Sequence, residues 1–259
     1  SFAVGRTQEM LYFVRQIKEE KRIDRFPNFT VYVDSPLAVE ATDIFQRNVA
    51  ECFDEEAMEL VRKGINPIRF PGLRLSITSD ESKAINFDDS PKVVISASGM
   101  CEAGRIRHHL KHNLWKPECT ILFVGYQANG TLGRSLIEGA KEVKLFGEKI
   151  EVRADIRTLP GISGHADKDG LIRWIEGFRK KPEKIFVVHG ESSICESFVS
   201  CLKEEHKMEA YAPYSGTCFD LLTGEAEYVA KAKPLKKKRA AQDIFDRLLA
   251  AGQRLMAVI

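Results

Sequence analysis

Phe29-Thr30-Val31-Tyr32-Val33 followed by Asp34-Ser35-Pro36 decides how the rest of the chain is read. The first five residues are aromatic and β-branched, a run long enough for one buried strand. Asp34 and Ser35 are polar capping residues. Pro36 then sits where a helix tolerates proline, because the N–H it lacks has no partner in the first turn. The reading is strand, turn, helix, with the helix running from about Leu37 into the Val49 region. The same unit recurs along the chain. Val93-Val94-Ile95-Ser96-Ala97 is a second strand, turned by Ser98-Gly99-Met100 into a segment reaching Leu110. Thr120 to Val124 is a third, broken by Gly125 to Gly130, after which Thr131-Leu132-Gly133-Arg134-Ser135-Leu136 starts a helix. Ile185 to Val188 is a fourth, ended by His189-Gly190-Glu191 and a helix around Cys195 to Leu202.

Apolar strands alternating with helices predict an α/β fold with a parallel sheet covered on both faces. Ligands of such sheets bind outside the carboxyl ends of the strands. All four strands end in small or polar residues: Asp-Ser, Ser-Gly, Gly-Thr and His-Gly-Glu. Any one of these is ordinary turn chemistry; together they predict a functional crevice.

The pattern changes between Val143 and Pro160. Val143 to Phe146 and Ile150 to Ile156 alternate around Gly147-Glu148, which predicts a hairpin with a half-exposed strand and a change of subdomain near residue 150. Lys231 to Pro234 reads as a linker and Lys236-Lys237-Lys238-Arg239 as a basic run. An amphipathic helix follows from about Ala241 to Ala257. It could pair with a second copy or fold back on its own chain. Short charge runs are usually solvated surface, which is preferred here over a nucleic-acid arm.

Composition narrows the class. Of 259 residues, 44% are hydrophobic and 29% charged, as in a folded globular protein, so a disordered or collagen-like chain is excluded. Net charge is +2, so polyanion binding must come from a local basic surface. Six scattered cysteines without a CxxC pair show neither a zinc ribbon nor a redox motif, and suggest a reducing, cytoplasmic setting. No apolar run of membrane-spanning length appears, so no membrane partner is expected. The opening SFAVGRTQEM lacks an initiator methionine and reads like the middle of a fold, which predicts a fragment of a longer protein.

Two histidines carry the chemistry. His165 lies in Ile162-Ser163-Gly164-His165-Ala166-Asp167, where Asp167 or Asp169 can cap the helix of Leu171 to Phe178. His189 follows the fourth strand. Imidazole serves as a zinc ligand, as a general acid or base, or as a plain hydrogen-bonding side chain. His108, His109, His112 and His206 read as surface residues, with His108 and His109 able to join Arg105, Arg107 and Lys111 in a basic patch.

Gly164-His165-Ala166-Asp167 followed by Val187-Val188-His189-Gly190-Glu191 resembles motifs B and C of the β-CASP nucleases, a branch of the metallo-β-lactamase superfamily. Phe2-Ala3-Val4-Gly5-Arg6-Thr7-Gln8-Glu9, Asp34-Ser35-Pro36-Leu37-Ala38, Ser96-Ala97-Ser98-Gly99-Met100 and Gly130-Thr131-Leu132-Gly133-Arg134 also match, in the family's order, over residues 1 to about 225. The family's HxHxDH string is absent from the chain.

The resemblance implies a parallel-sheet β-CASP cap domain over residues 1–150 and the C-terminal strands and helices of a metallo-β-lactamase αββα sandwich over 151–230; residues 231–259 are the linker and amphipathic helix read above from the residues themselves. It implies metal-assisted RNA phosphodiester hydrolysis with two zinc ions, His189 as a metal ligand and His165 as the proton donor to the leaving oxygen. It also implies a missing N-terminal half as the necessary partner, so the chain alone is expected to be inactive and to hold no stoichiometric catalytic zinc. Ser98, Gly99, Gly130, Thr131, Gly133, Arg134 and Ser163 are expected to hold single-stranded RNA by its phosphates. Tyr126 packs at a strand end or stacks on a base, and Asp34 caps a helix or orients an arginine. Two other readings remain at this stage: a non-catalytic RNA-binding or scaffolding subunit, and an unrelated nucleotide- or phosphometabolite-binding domain. The second has no GxGxxG or GxxxxGK[ST] string to support it.

Overall fold

The structure is a computed structural model that describes residues 1–162 and 164–232. Ser163, the basic run from Lys236 and the segment read as a C-terminal helix lie outside the described residues. The chain divides into two compact units, Ser1–Gly164 and the residues from His165 onward.

The first unit opens with α1 (Arg6–Glu19), β1 (Thr30–Asp34), α2 (Pro36–Arg47), α3 (Val49–Cys52), α4 (Glu55–Arg62), β2 (Leu73–Ser76), α5 (Ser79–Phe87) and β3 (Lys92–Ser96). It continues with α6 (Ile106–Asn113), β4 (Thr120–Phe123), α7 (Leu132–Ile137), β5 (Glu142–Leu145), β6 (Glu148–Glu151) and β7 (Asp155–Thr158). The second unit contains α8 (Lys168–Glu176), β8 (Ile185–Phe186), α9 (Ser192–Glu204), β9 (Ala210–Tyr211), β10 (Cys218–Phe219) and β11 (Ala226–Tyr228).

β1 lies at the centre of a parallel sheet ordered β2-β1-β3. Val31 and Val33 are fully buried in its core, against Leu11 and Val14 of α1, Ala38 and Val39 of α2, and Ile95 of β3. Each such side chain contributes about 1.5–3 kcal/mol by leaving water. The register sets Asp34 beside both Ser76 and Ser96, so the three strands end in a buried polar row. A second core gathers Leu110 of α6, Leu114, Phe123 of β4, Leu136 of α7 and Leu145 of β5. In the second unit, Ile175 of α8, Leu202 of α9, Met208 and Ala210 form a third.

Helix starts follow their side chains. Ser35 accepts from the Ala38 amide to start α2, and Asp54 does the same for α4 from Ala57. Thr78 and Glu81 close a reciprocal box at α5.

Two sequence expectations are corrected. The four apolar strands do not share one sheet: β1 and β3 do, β4 pairs in parallel with β7, and β8 pairs in parallel with β9 in the other unit. An apolar run marks a strand as buried and leaves its neighbour undetermined. The single strand read over Ile150 to Ile156 is two. β6 turns back antiparallel on β5 at Phe146-Gly147, where both residues have positive φ, and β7 leaves to join β4. No described helix is long and apolar enough to cross a membrane.

Candidate functional site

The polar row at the carboxyl ends of β1–β3 is built around Asp34, which has no solvent exposure. Its Oδ1 accepts from Arg105 Nη1 at 2.7 Å, and its Oδ2 accepts from Ser82 Oγ and His109 Nε2, each at 2.6 Å. His109 Nδ1 faces Asn86 Oδ1 at 2.8 Å, so both ring nitrogens are engaged. Arg105 also donates to the carbonyls of Ser76 and Ile77. Burial raises the Asp34 pKa, but hydrogen bonds from His109, Ser82, Ser76 and Arg105 outweigh it and hold the carboxyl well below the usual range. Asp34 therefore orients Arg105, while Ser35 caps α2. His109 is 6% exposed, which corrects its reading as a surface residue. The sequence holds one signal for this network: a carboxylate ending a buried strand must find donors.

The loops after β3 and β4 meet. Ser98 ties its own loop shut, its hydroxyl donating to the Ala103 carbonyl and accepting from the Ala103 amide, both at 3.2 Å. Gly99 lies under the Phe2 ring, and a Cβ there would come within 3.0 Å of it. Gln127 donates to the Gly99 carbonyl at 2.9 Å. Thr131 caps α7 by accepting from the Arg134 amide at 3.2 Å and donating to Ala128 O at 2.7 Å. The Gly133 amide bonds Met100 O at 3.1 Å and that of Leu132 bonds Glu102 Oε1 at 2.5 Å. The amides of residues 132, 133 and 134 are thus all engaged inside the protein. Gly133 cannot carry a side chain, because a Cβ would lie 1.8 Å from Gln127 Oε1. Gly130 has φ 80°, and Arg134 Nε pairs with Glu138 at 2.6 Å. Tyr126 is 60% exposed at the end of this strand.

In the second unit, His165 is exposed two residues before Asp167, which caps α8 by accepting from the Gly170 amide at 2.8 Å. His189 is exposed in the turn between β8 and α9, three residues past the strand, with φ 63°. Left-handed backbone is uncommon outside glycine and its strain gathers at functional turns. The next residue explains how the turn is held: a Cβ on Gly190 would lie 2.7 Å from the sulfur of buried Cys195, so the backbone packs directly on α9. Catalytic zinc normally takes three protein ligands. Among the described residues the group of three potential ligands is Cys201, Glu205 and His206, which includes neither His165 nor His189. The described residues alone therefore do not build the catalytic metal site the resemblance implies.

Parallel strands with helices between them and polar loops at their carboxyl ends define an α/β protein. Residues 7–136 match the Beta-Casp domain family, and residues 149–213 match a family described as a Zn-dependent metallo-hydrolase RNA specificity domain. A ribonuclease of Thermus thermophilus is 39% identical over 191 residues, 74% of this chain and 42% of the relative. Transcription termination factor FttA of Methanocaldococcus jannaschii is 32% identical over 82% of this chain and 33% of its own length. An RNase J-like protein of the same organism is 33% identical over 83% of this chain and 48% of its own. The chain thus spans a third to a half of these relatives. It belongs to the β-CASP branch of the metallo-β-lactamase superfamily, which sets aside an unrelated nucleotide-binding domain.

Proposed function

We propose that this chain is the RNA-holding and C-terminal portion of a zinc-dependent ribonuclease that hydrolyses RNA phosphodiester bonds. The observation that carries this reading is the exposed, left-handed His189, seated on α9 through Gly190, inside the region matched by the metallo-hydrolase RNA specificity family. A metal ligand must be neutral and held rigidly; the close packing of Gly190 on Cys195 supplies that rigidity. One imidazole is one ligand, so the remaining zinc ligands come from outside the described residues. His165, exposed just ahead of a capped helix, hands a proton to the leaving oxygen.

RNA lies along the loops after β3 and β4. The Thr131 hydroxyl and the Arg134 guanidinium meet phosphates there, and Tyr126 stacks on an unpaired base. Gly99 and Gly133 let the Phe2 ring and the Gln127 side chain pack directly on the backbone of these loops, and Gly130 supplies the left-handed turn between them. The domain limits proposed are 1–150 for the cap and 151–230 for the returning catalytic part, in a cytoplasmic protein.

In the complete protein, His189→Ala is expected to lower zinc content. His165→Ala keeps the zinc and lowers turnover by about 10²–10⁴-fold. The reverse pattern in metal analysis would overturn both assignments. The non-catalytic scaffold differs in one outcome: RNA binding without hydrolysis in the complete protein, with both histidines intact.

A further inference from the structure

We propose that the chain holds a cation site for a thiophilic divalent ion of the zinc class where α9 ends, made by Cys201, Glu205 and His206. The thiol sulfur, one carboxylate oxygen and one ring nitrogen of these residues lie within 4.8 Å of one another. The spacing produces this: residues four apart on a helix share a face, and His206 follows the C-terminal cap, Glu205. Lys207 then takes a left-handed φ of 54°, and the Met208 amide bonds back to Leu202 O at 2.9 Å, which closes the helix end. A helix C-terminus carries partial negative charge and favours a cation there.

A second, independent contact orients the imidazole. His206 Nδ1 meets Glu176 Oε1 at 3.1 Å, from the last residue of α8. With Nδ1 so engaged, Nε2 is the ring nitrogen left to bind an ion, in the carboxylate–histidine–metal arrangement that fixes ring orientation and raises ligand basicity. Thiolate, imidazole and carboxylate together suit zinc, and three protein ligands leave a fourth position for water. The Lys168 ammonium, on an exposed side chain, has its pKa raised, by Cys201 first and by Glu205 as well. It is the resident cation of the cluster, and the divalent ion displaces it to solvent while the thiol gives up its proton. Glu176 and Lys168 are the other charged groups facing the site.

The test is cobalt(II) titration of the whole chain, followed by zinc competition. The expected result is one tightly held equivalent with a sulfur-to-cobalt charge-transfer band. Cys201→Ser removes the band, and Lys168→Ala strengthens binding. Glu176→Gln keeps the band and weakens binding about tenfold. His189→Ala leaves the band unchanged, so failure here is separable from failure of the proposed nuclease role. The exposed thiols of Cys52 and Cys218 are the competing source of sulfur. A band that survives Cys201→Ser, or no band in the parent chain, overturns the site. If the buried Cys201→Ser variant does not fold, by circular dichroism, the surface variants Glu176→Gln and Lys168→Ala decide: unchanged cobalt affinity in both overturns it.

Discussion

At Asp34 the fold keeps a charge where solvent does not reach, and four donors from three different segments make that tenable. Because its folded pKa lies below the unfolded value of 3.8, its stabilisation is fully present above about pH 4 and is lost as pH falls further. Asp34→Asn removes the charge and leaves Arg105 and His109 facing a neutral amide. It is expected to destabilise by about 3–5 kcal/mol and to flatten the acid limb of the stability–pH curve, measured by urea unfolding between pH 3 and 7. An unchanged acid limb would remove Asp34 from the account of acid stability. The turn at His189 is a second residue-scale case. Gly190→Ala forces a methyl against the Cys195 sulfur and should destabilise by about 1–3 kcal/mol. Adding Cys195→Ala should restore part of that loss, and a double-mutant cycle without coupling refutes the contact. Cys101 tests burial in another way: burial pushes its thiol up to about 11, so it should resist alkylation in the folded protein while exposed Cys52 reacts.

Elements were legible wherever local chemistry sets them. The β1–α2 unit follows from Val31 and Val33, whose β-branching favours a strand locally, and from Ser35 and Pro36, which set the helix start within a few residues of themselves. The α7 start at Thr131 and the α8 cap at Asp167 are read the same way. What stayed hidden depends on distance along the chain. The pairing of β4 with β7 joins residues 120–123 to 155–158, and nothing in either run names the other. His109 reads as surface because its helix is rich in charge; its burial comes from Asp34, 75 positions away. The occupied α7 amides of Leu132 and Gly133 were equally out of sight, because Glu102 and Met100 arrive from the loop after β3. These engaged amides make a prediction about α7: Thr131→Ala should cost about 1 kcal/mol through loss of the cap, and Thr131→Ser should recover it, in thermal unfolding. If the alanine variant loses RNA affinity while the serine variant keeps both properties, the hydroxyl acts on the phosphate as well as on the helix.

At the scale of the whole molecule, a net charge of +2 gives no long-range field to gather a polyanion. On the proposed reading, RNA affinity comes from a few contacts at the carboxyl edge of the first unit, and those contacts differ in kind. In the proposed path Arg134 neutralises a phosphate and releases a counterion, so its loss should lower the slope of log affinity against log salt by about 0.7 for a single strand. Its pairing with Glu138 at 2.6 Å opposes this, because the guanidinium must be shared or released before it meets a phosphate. Glu138→Gln is therefore expected to tighten binding at low salt. Tyr126 offers a ring face and no charge, so Tyr126→Ala should weaken binding by about 1–3 kcal/mol with the salt slope unaltered. Fluorescence anisotropy with uridine and adenosine oligomers across a salt series separates the two behaviours. Should Arg134→Ala leave the slope intact, or Tyr126→Ala change the slope and spare the affinity, the RNA path assigned to this edge is wrong. The family membership would stand, and the basic residues along α6 would become the next surface to examine.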